Sequence, residues 1–93
     1  RVVVVIDGRD PAPLDSDRDG YFSGLVRGVG PGTRYRFRLD DDPTPYPDPA
    51  SRYQPEGPHG PSEVVDPAGF RWTDHDWKGC GPGGQVIYEM HVG

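Results

Sequence analysis

Residues 33–39 read TRYRFRL, and their side chains alternate with a period of two. In an extended chain, apolar and basic side chains would lie on opposite faces: Tyr35, Phe37 and Leu39 against Arg34, Arg36 and Arg38. This alternation is typical of a half-buried β-strand that turns one face to a core and the other to water. The same interleaving occurs in RNA-binding strands, but three aspartates follow directly at residues 40–42 and favour the core interpretation.

Four other segments have the composition of short strands. They are RVVVVI at 1–6, which returns toward Leu14 through an Asp7-Gly8 turn, then GYFSGLV at 20–26, EVVD at 63–66 and QVIYEMHV at 85–92. No ten-residue stretch has helical periodicity, and no internal repeat is present. Short strands with closely spaced turn signals predict an all-β fold, an antiparallel β-sandwich.

The composition limits the chain to one loop-rich domain. It has 93 residues, with 14 glycines and 12 prolines, a share typical of low-complexity sequence. However, 11% of the residues are aromatic, and disordered chains are poor in aromatic residues. A β domain with long loops fits both observations.

Net charge and cysteine content limit the expected binding partners and the expected cellular location. The formal net charge is −5, whereas nucleic acids and anionic membranes select basic proteins, so we expect neither as a partner. The longest apolar run, Val2–Ile6, is too short to span a bilayer. A single cysteine, Cys80, permits no disulfide within the chain and is compatible with the reducing cytoplasm, where we expect the protein.

Three motifs resemble functional sites, but the sequence favours simpler interpretations. DSDRDG at residues 15–20 copies the start of a calcium loop, yet Val26 stands where the bidentate glutamate is needed. GCGPGG at residues 79–84 has dinucleotide-fingerprint spacing, but no helix follows it. The spacing of the three histidines and the cysteine matches no compact zinc site. We therefore predict no metal, no cofactor and no catalytic residue in this chain.

Trp72 and Trp77 have two interpretations that the sequence leaves open. Exposed tryptophans can serve as stacking platforms for sugar rings. They serve equally well as anchors for a loop or a neighbouring domain.

Residues 45–93 carry a resemblance to a known family. PDPASRYQPEGPHGPSEVVDP, then FRWTDHDWKG, then VIYEMHVG, are similar to the maltooligosyltrehalose trehalohydrolase family of the α-amylase superfamily. The family pattern D-P-x-S-R-x-Q-P-x-G-x-x-G-x-S is met from Asp48 to Ser62, and Y-E-x-H-V-G from Tyr88 to Gly93. Met90 and Pro58 are mild departures, since the family usually has Leu and a small aliphatic residue there.

The resemblance implies an architecture. Residues 1–44 would be a partial immunoglobulin-like (early-set) β-sandwich that lacks its first strand. Residues 45–85 would be a Pro/Gly-rich strap with a short strand near 63–66, and residues 86–93 the first strand of a missing (β/α)₈ catalytic barrel. The strap and this strand would dock on the barrel of the same polypeptide through five side chains: Tyr46, Arg52, Tyr53, Tyr88 and His91.

The resemblance also implies a function for the parent protein. Such enzymes hydrolyse the α-1,4-glucosidic bond next to the trehalose end of maltooligosyltrehalose, with catalytic carboxylates that match no position here, so this chain alone would be inactive. One alternative is an α-1,4-glucan-binding module that uses Trp72, Trp77 and Tyr21 as a platform. Another is the equivalent domain of a glycogen-branching or debranching enzyme.

Overall fold

The computed structural model describes all of residues 1–93, which form one antiparallel sheet and long irregular segments. The strands are β1 (Val2–Ile6), β2 (Ala12–Ser16), β3 (Phe22–Ser23), β4 (Arg34–Leu39) and β5 (Ser62–Glu63). Their order across the sheet is β3-β2-β1-β4-β5. The one helical element is a 3-10 turn, Pro67–Gly69, and the predicted all-β antiparallel fold is confirmed.

Strand β1 lies at the centre of the sheet, because it pairs with β2 along one edge and with β4 along the other. Its β-branched residues favour this extended conformation. Val2 lies opposite Leu14 of β2 and opposite Leu39 of β4. Val3, Val4 and Ile6 are the buried hydrophobic residues of the chain. A strand paired on both edges leaves few backbone groups in water, so this Val/Ile run forms the core of the sheet.

The turn between β1 and β2 explains how the first hairpin closes. Gly8 has a φ of 74°, a left-handed conformation that glycine adopts without steric cost. The Arg9 guanidinium, next in the turn, donates to the carbonyl oxygens of Arg27 at 2.8 Å and Gly28 at 2.7 Å. These bonds hold the loop after β3 against the first hairpin.

The alternation in β4 gives the sheet one apolar and one charged face. Phe37 pairs with Val4 and Tyr35 with Ile6, and the two rings meet edge to face with centroids 5.8 Å apart. On the other face, Arg34 forms salt bridges with Glu56 and Glu63. Within residues 1–93, no second sheet covers the apolar face.

Two predicted strands are shorter or shifted in the structure. Of the segment 20–26, only Phe22–Ser23 pairs, and the strand predicted at 63–66 is Ser62–Glu63. Residues 86–93, predicted to be the first strand of a barrel outside this chain, make no ladder hydrogen bonds here, and their role stays a prediction. A strand needs a partner as well as favourable residues.

Candidate functional site

The long proline-rich segment after β4 lies on the sheet. We call residues 43–61 the ribbon. Tyr46 and Phe37 exchange both backbone hydrogen bonds at 2.7 Å, so the ribbon extends the edge of β4. Further along, the Tyr53 carbonyl accepts from the Glu63 amide at 2.9 Å. The ribbon is therefore fixed to the sheet at two places, although it contains no strand of its own.

A side-chain cluster, the Tyr35–Asp48–Ser62 clasp, fixes the middle of the ribbon. The Tyr35 hydroxyl donates to a carboxylate oxygen of Asp48 at 2.7 Å. The Asp48 amide donates to the Ser62 hydroxyl at 2.9 Å, and Ser62 is completely buried. The other carboxylate oxygen of Asp48 accepts from the Ala50 amide at 2.8 Å. One aspartate thus joins β4, the ribbon and β5.

The titration of these groups follows from the same contacts. Burial, followed by the hydrogen bond to Asp48 and its negative charge, raises the pKa of Tyr35 to about 12. The hydrogen bond to Asp42 raises the pKa of Tyr46 above its ordinary value. Conversely, the Thr44 amide and then the Tyr46 hydroxyl lower the pKa of Asp42. Neutral phenols bonded to charged carboxylates are stable pairs at pH 7, as suits a structural role.

An apolar groove of about 620 Å³ lies between the sheet and the ribbon. Leu14, Phe22 and Phe37 line it on the sheet side, and Tyr46 and Pro49 on the ribbon side. Sugar recognition requires several convergent polar groups, which this lining lacks. The groove is chemically suited to apolar protein side chains.

The three residues predicted to stack on sugar are exposed, and none of them lines a cavity. Trp72, Trp77 and Tyr21 are 72%, 68% and 72% exposed. Phe70 packs edge to face on Trp72, with ring centroids 4.9 Å apart. We call residues 70–93 the tail. The tail presents its tryptophans outward from an irregular backbone.

The five residues predicted to dock on a barrel divide into two groups. Tyr46 and Tyr53 lie on the ribbon. The backbone of Tyr46 is hydrogen-bonded to β4, and the backbone carbonyl of Tyr53 to β5. Arg52, also on the ribbon, is exposed. Tyr88 and His91 are exposed in the tail, beside Val86 and Ile87, which are 93% and 91% exposed. The tail therefore carries the largest uncovered apolar side chains.

The sequence did not reveal the clasp. Asp48 and Ser62 belong to the motif that carries the family resemblance, but the sequence alone could not pair them with each other or with Tyr35. The available signal was the last serine of the family motif, next to the strand predicted at 63–66. Burial of that serine depends on how the ribbon folds back, which is a tertiary property.

The chain offers neither a cluster of metal ligands nor a membrane-spanning helix. Among the 93 residues, no group of three or more His, Cys, Asp or Glu side chains could hold a metal ion. No helix is long and apolar enough to cross a membrane. Cys80 is free and exposed.

No family model matches the chain, but several curated relatives do. Malto-oligosyltrehalose trehalohydrolase of Saccharolobus solfataricus is 42% identical over 93 residues, 100% of this chain and 16% of that protein. Its counterpart in Deinococcus radiodurans is 55% identical over 65 residues, 70% of this chain and 10% of that protein. This chain thus spans about a tenth to a sixth of the length of these relatives.

A solved structure supports the fold. A Salmonella typhimurium protein, provisionally described as an alpha amylase, superposes with a TM-score of 0.77 at 42% identity. The match covers 85% of this chain and 13% of that one. At 42% sequence identity, the two proteins are similar in sequence as well as in fold.

Proposed function

The chain belongs to the malto-oligosyltrehalose trehalohydrolase family, and we propose that it is the non-catalytic accessory domain of such a glycoside hydrolase. The observation that carries the proposal is the exposed tail. Tryptophans and aliphatic side chains that stay in water within a structured chain mark a surface for a protein partner. We take that partner to be the catalytic barrel of the same polypeptide.

The proposed activity of the whole protein is hydrolysis of the α-1,4-glucosidic bond next to the trehalose end of maltooligosyltrehalose, which releases trehalose. The catalytic carboxylates would lie in the barrel, and a retaining two-step mechanism is expected there. This chain contributes no catalytic group to that reaction and should be inactive alone. Cytoplasmic location is part of the same proposal, supported by the single free cysteine.

The chain's own contribution would be structural, as a domain that packs against the catalytic barrel. The clasp and the Tyr46–Phe37 bridge hold the ribbon on the sheet, so that the sheet and the ribbon form one unit that carries the tail. Burial of a tryptophan removes about 150–250 Å² from water, which stabilises by roughly 4–6 kcal/mol as an upper bound. Two tryptophans in the tail could therefore attach the domain firmly.

An α-glucan-binding module is the second candidate function. It is favoured by the exposure of Trp72, Trp77 and Tyr21, since stacking platforms must be open to solvent. Against it, none of the three residues lines a cavity in which polar groups could converge on a sugar. The equivalent domain of a branching or debranching enzyme is a third possibility, and the sequence beyond residue 93 decides that point.

A paired substitution separates packing from glucan binding. We would make Trp72→Ala/Trp77→Ala in the full-length enzyme, with Lys78→Ala as the matched control on the same exposed segment. The packing role predicts a lower Tm and slower trehalose release, with unchanged maltooligosaccharide binding. Loss of glucan affinity at an unchanged Tm would instead establish the binding module. Full retention of Tm, trehalose release and glucan affinity would refute both roles for the tryptophans.

A further inference from the structure

Four prolines occupy every second position of the first part of the ribbon: Pro43, Pro45, Pro47 and Pro49. Proline has no backbone N–H, so these positions can donate no hydrogen bond to a neighbouring strand. Each intervening residue has one backbone N–H. The acceptor of that N–H decides whether this edge of the sheet can bond to another strand.

All three intervening amides are already bonded within the chain. The Thr44 amide donates to an Asp42 carboxylate oxygen at 2.8 Å. The Tyr46 amide donates to the Phe37 carbonyl at 2.7 Å, and the Asp48 amide to the Ser62 hydroxyl at 2.9 Å. Beyond Pro49, the Ala50 and Ser51 amides both donate back to Asp48, at 2.8 and 3.1 Å. From residue 43 to residue 51, no free backbone donor remains.

The orientation of the ribbon determines why the missing backbone donors affect pairing with another strand. In an antiparallel ladder, the backbone groups of successive residues point alternately toward and away from the neighbouring strand. Tyr46 directs both its backbone groups to Phe37, so the backbones of Pro45 and Pro47 point away from the sheet. These are the positions at which an additional strand would have to bond, and both lack the N–H.

We propose that residues 43–51 form a closed sheet edge, which disfavours pairing of a further strand because every backbone donor is either missing or already used and only carbonyl acceptors remain. An open edge is a template for strand addition between molecules. The proline alternation therefore has a second role besides stiffening the ribbon: it protects the longer edge of the sheet. The opposite edge, β3, has only two paired residues.

The chain itself contains a strand-forming segment that could pair with an open edge. Residues 86–92, VIYEMHV, are rich in residues that favour strands, and they have no partner here. Without the prolines, the tail of one copy could add beside Tyr46 of another copy. The closed edge disfavours this pairing, and the inference does not depend on the proposed function.

Restoring the two outward donors tests the closed edge. We would compare Pro45→Thr/Pro47→Thr with the parent chain, by sedimentation velocity over a concentration series and by amide hydrogen exchange. Two added backbone hydrogen bonds should tighten self-association by about tenfold or more. The amides at positions 45 and 47, and those of residues 86–92, should become protected in concentrated samples alone.

The matched control is Pro55→Thr/Pro58→Thr, which removes two prolines from the same ribbon beyond the closed edge. It should associate no more tightly than the parent. A folded Pro45→Thr/Pro47→Thr variant with protected Tyr46 amide but parental association would overturn the proposal, as would equal association of the control. If the double variant unfolds, the single variants Pro45→Thr and Pro47→Thr decide, since parental association in both also overturns it.

Discussion

Residues 2–6 and 86–92 have similar strand-forming sequences, VVVVI and VIYEMHV, but very different environments. The first is the central strand of the sheet, with a partner on each edge. The second makes no strand, and Ile87 is 91% exposed where Ile6 is 5% exposed. Hydrogen bonds in the tail join residues three apart in local turns, such as the Trp77 amide to the Asp74 carbonyl.

The comparison shows that strand propensity acts only where another segment completes the backbone hydrogen bonds. Within residues 1–93, the hairpin through Gly8 and the return of β4 provide partners for β1. The ribbon then occupies the outer edge of β4, and its prolines disfavour pairing of the tail there. The sheet is complete at that edge, whereas the tail still requires a partner.

The largest expected effect is the contrast between two isoleucines. Ile6→Ala removes a buried side chain from the core and should lower the free energy of unfolding by about 2–5 kcal/mol. Ile87→Ala should change it by less than about 0.5 kcal/mol, because the side chain is in water. Urea unfolding of this chain measures both. Equal effects would contradict the division into a stabilised sheet and an unpartnered tail.

Two serines in the ribbon region sharpen the comparison. Ser62→Ala removes the acceptor of the Asp48 amide inside a fully buried site, which should cost about 1–3 kcal/mol. Ser51→Ala is the control, since the buried Ser51 hydroxyl has no hydrogen-bond partner to lose. Hydrogen exchange should become faster at the Asp48 amide in the first variant alone. Similar destabilisation in both variants would mean that the clasp adds nothing beyond packing.

A phenol in the sheet and one in the tail should differ in their contribution to stability. Because the folded state raises the pKa of Tyr35 from 10.0 to about 12, it favours the neutral phenol. This contribution is complete below pH 10 and is lost as the pH rises from 10 to 12. Tyr35→Phe should remove that alkaline loss and lower stability at pH 7 by about 1 kcal/mol.

Tyr88→Phe provides the control for this pH experiment, because Tyr88 is exposed in the tail. It should leave the free energy of unfolding at pH 7 unchanged. Denaturant midpoints measured from pH 7 to pH 12 give both quantities. An alkaline loss that persists undiminished in Tyr35→Phe would assign it to another group.

The sequence was sufficient for the elements whose signals are local. The alternation around Phe37 and the Asp7-Gly8 turn predicted β4 and the first hairpin. It could not show that Asp48 joins Tyr35 to Ser62, since a contact across 13 or 14 residues depends on the path of the ribbon. It also overextended the strand at 20–26, of which only Phe22–Ser23 pairs. The predicted division at residue 44 stays a prediction, although the ribbon beyond it bonds to β4.

The smallest expected effect concerns a charge at the entrance to the ribbon. The Thr44 amide and the Tyr46 hydroxyl both donate to the Asp42 carboxylate, at 2.8 and 2.7 Å, and they lower its pKa. A lowered pKa means that the carboxylate stabilises the fold at neutral pH and ceases to do so as the pH falls through that pKa. Asp42→Asn should therefore lower the Tm slightly at neutral pH.

In acid, the parent and Asp42→Asn should converge, because the protonated carboxyl then resembles the amide in charge. Asp76→Asn is the control, since Asp76 pairs with His75 at 3.1 Å in the tail and has no hydrogen bond to the sheet. That variant should have the parental Tm throughout. A Tm difference for Asp42→Asn that stays constant into acid would show that hydrogen-bond geometry, and not charge, holds the start of the ribbon. Convergence in acid would place a charged anchor at the point where the closed edge begins.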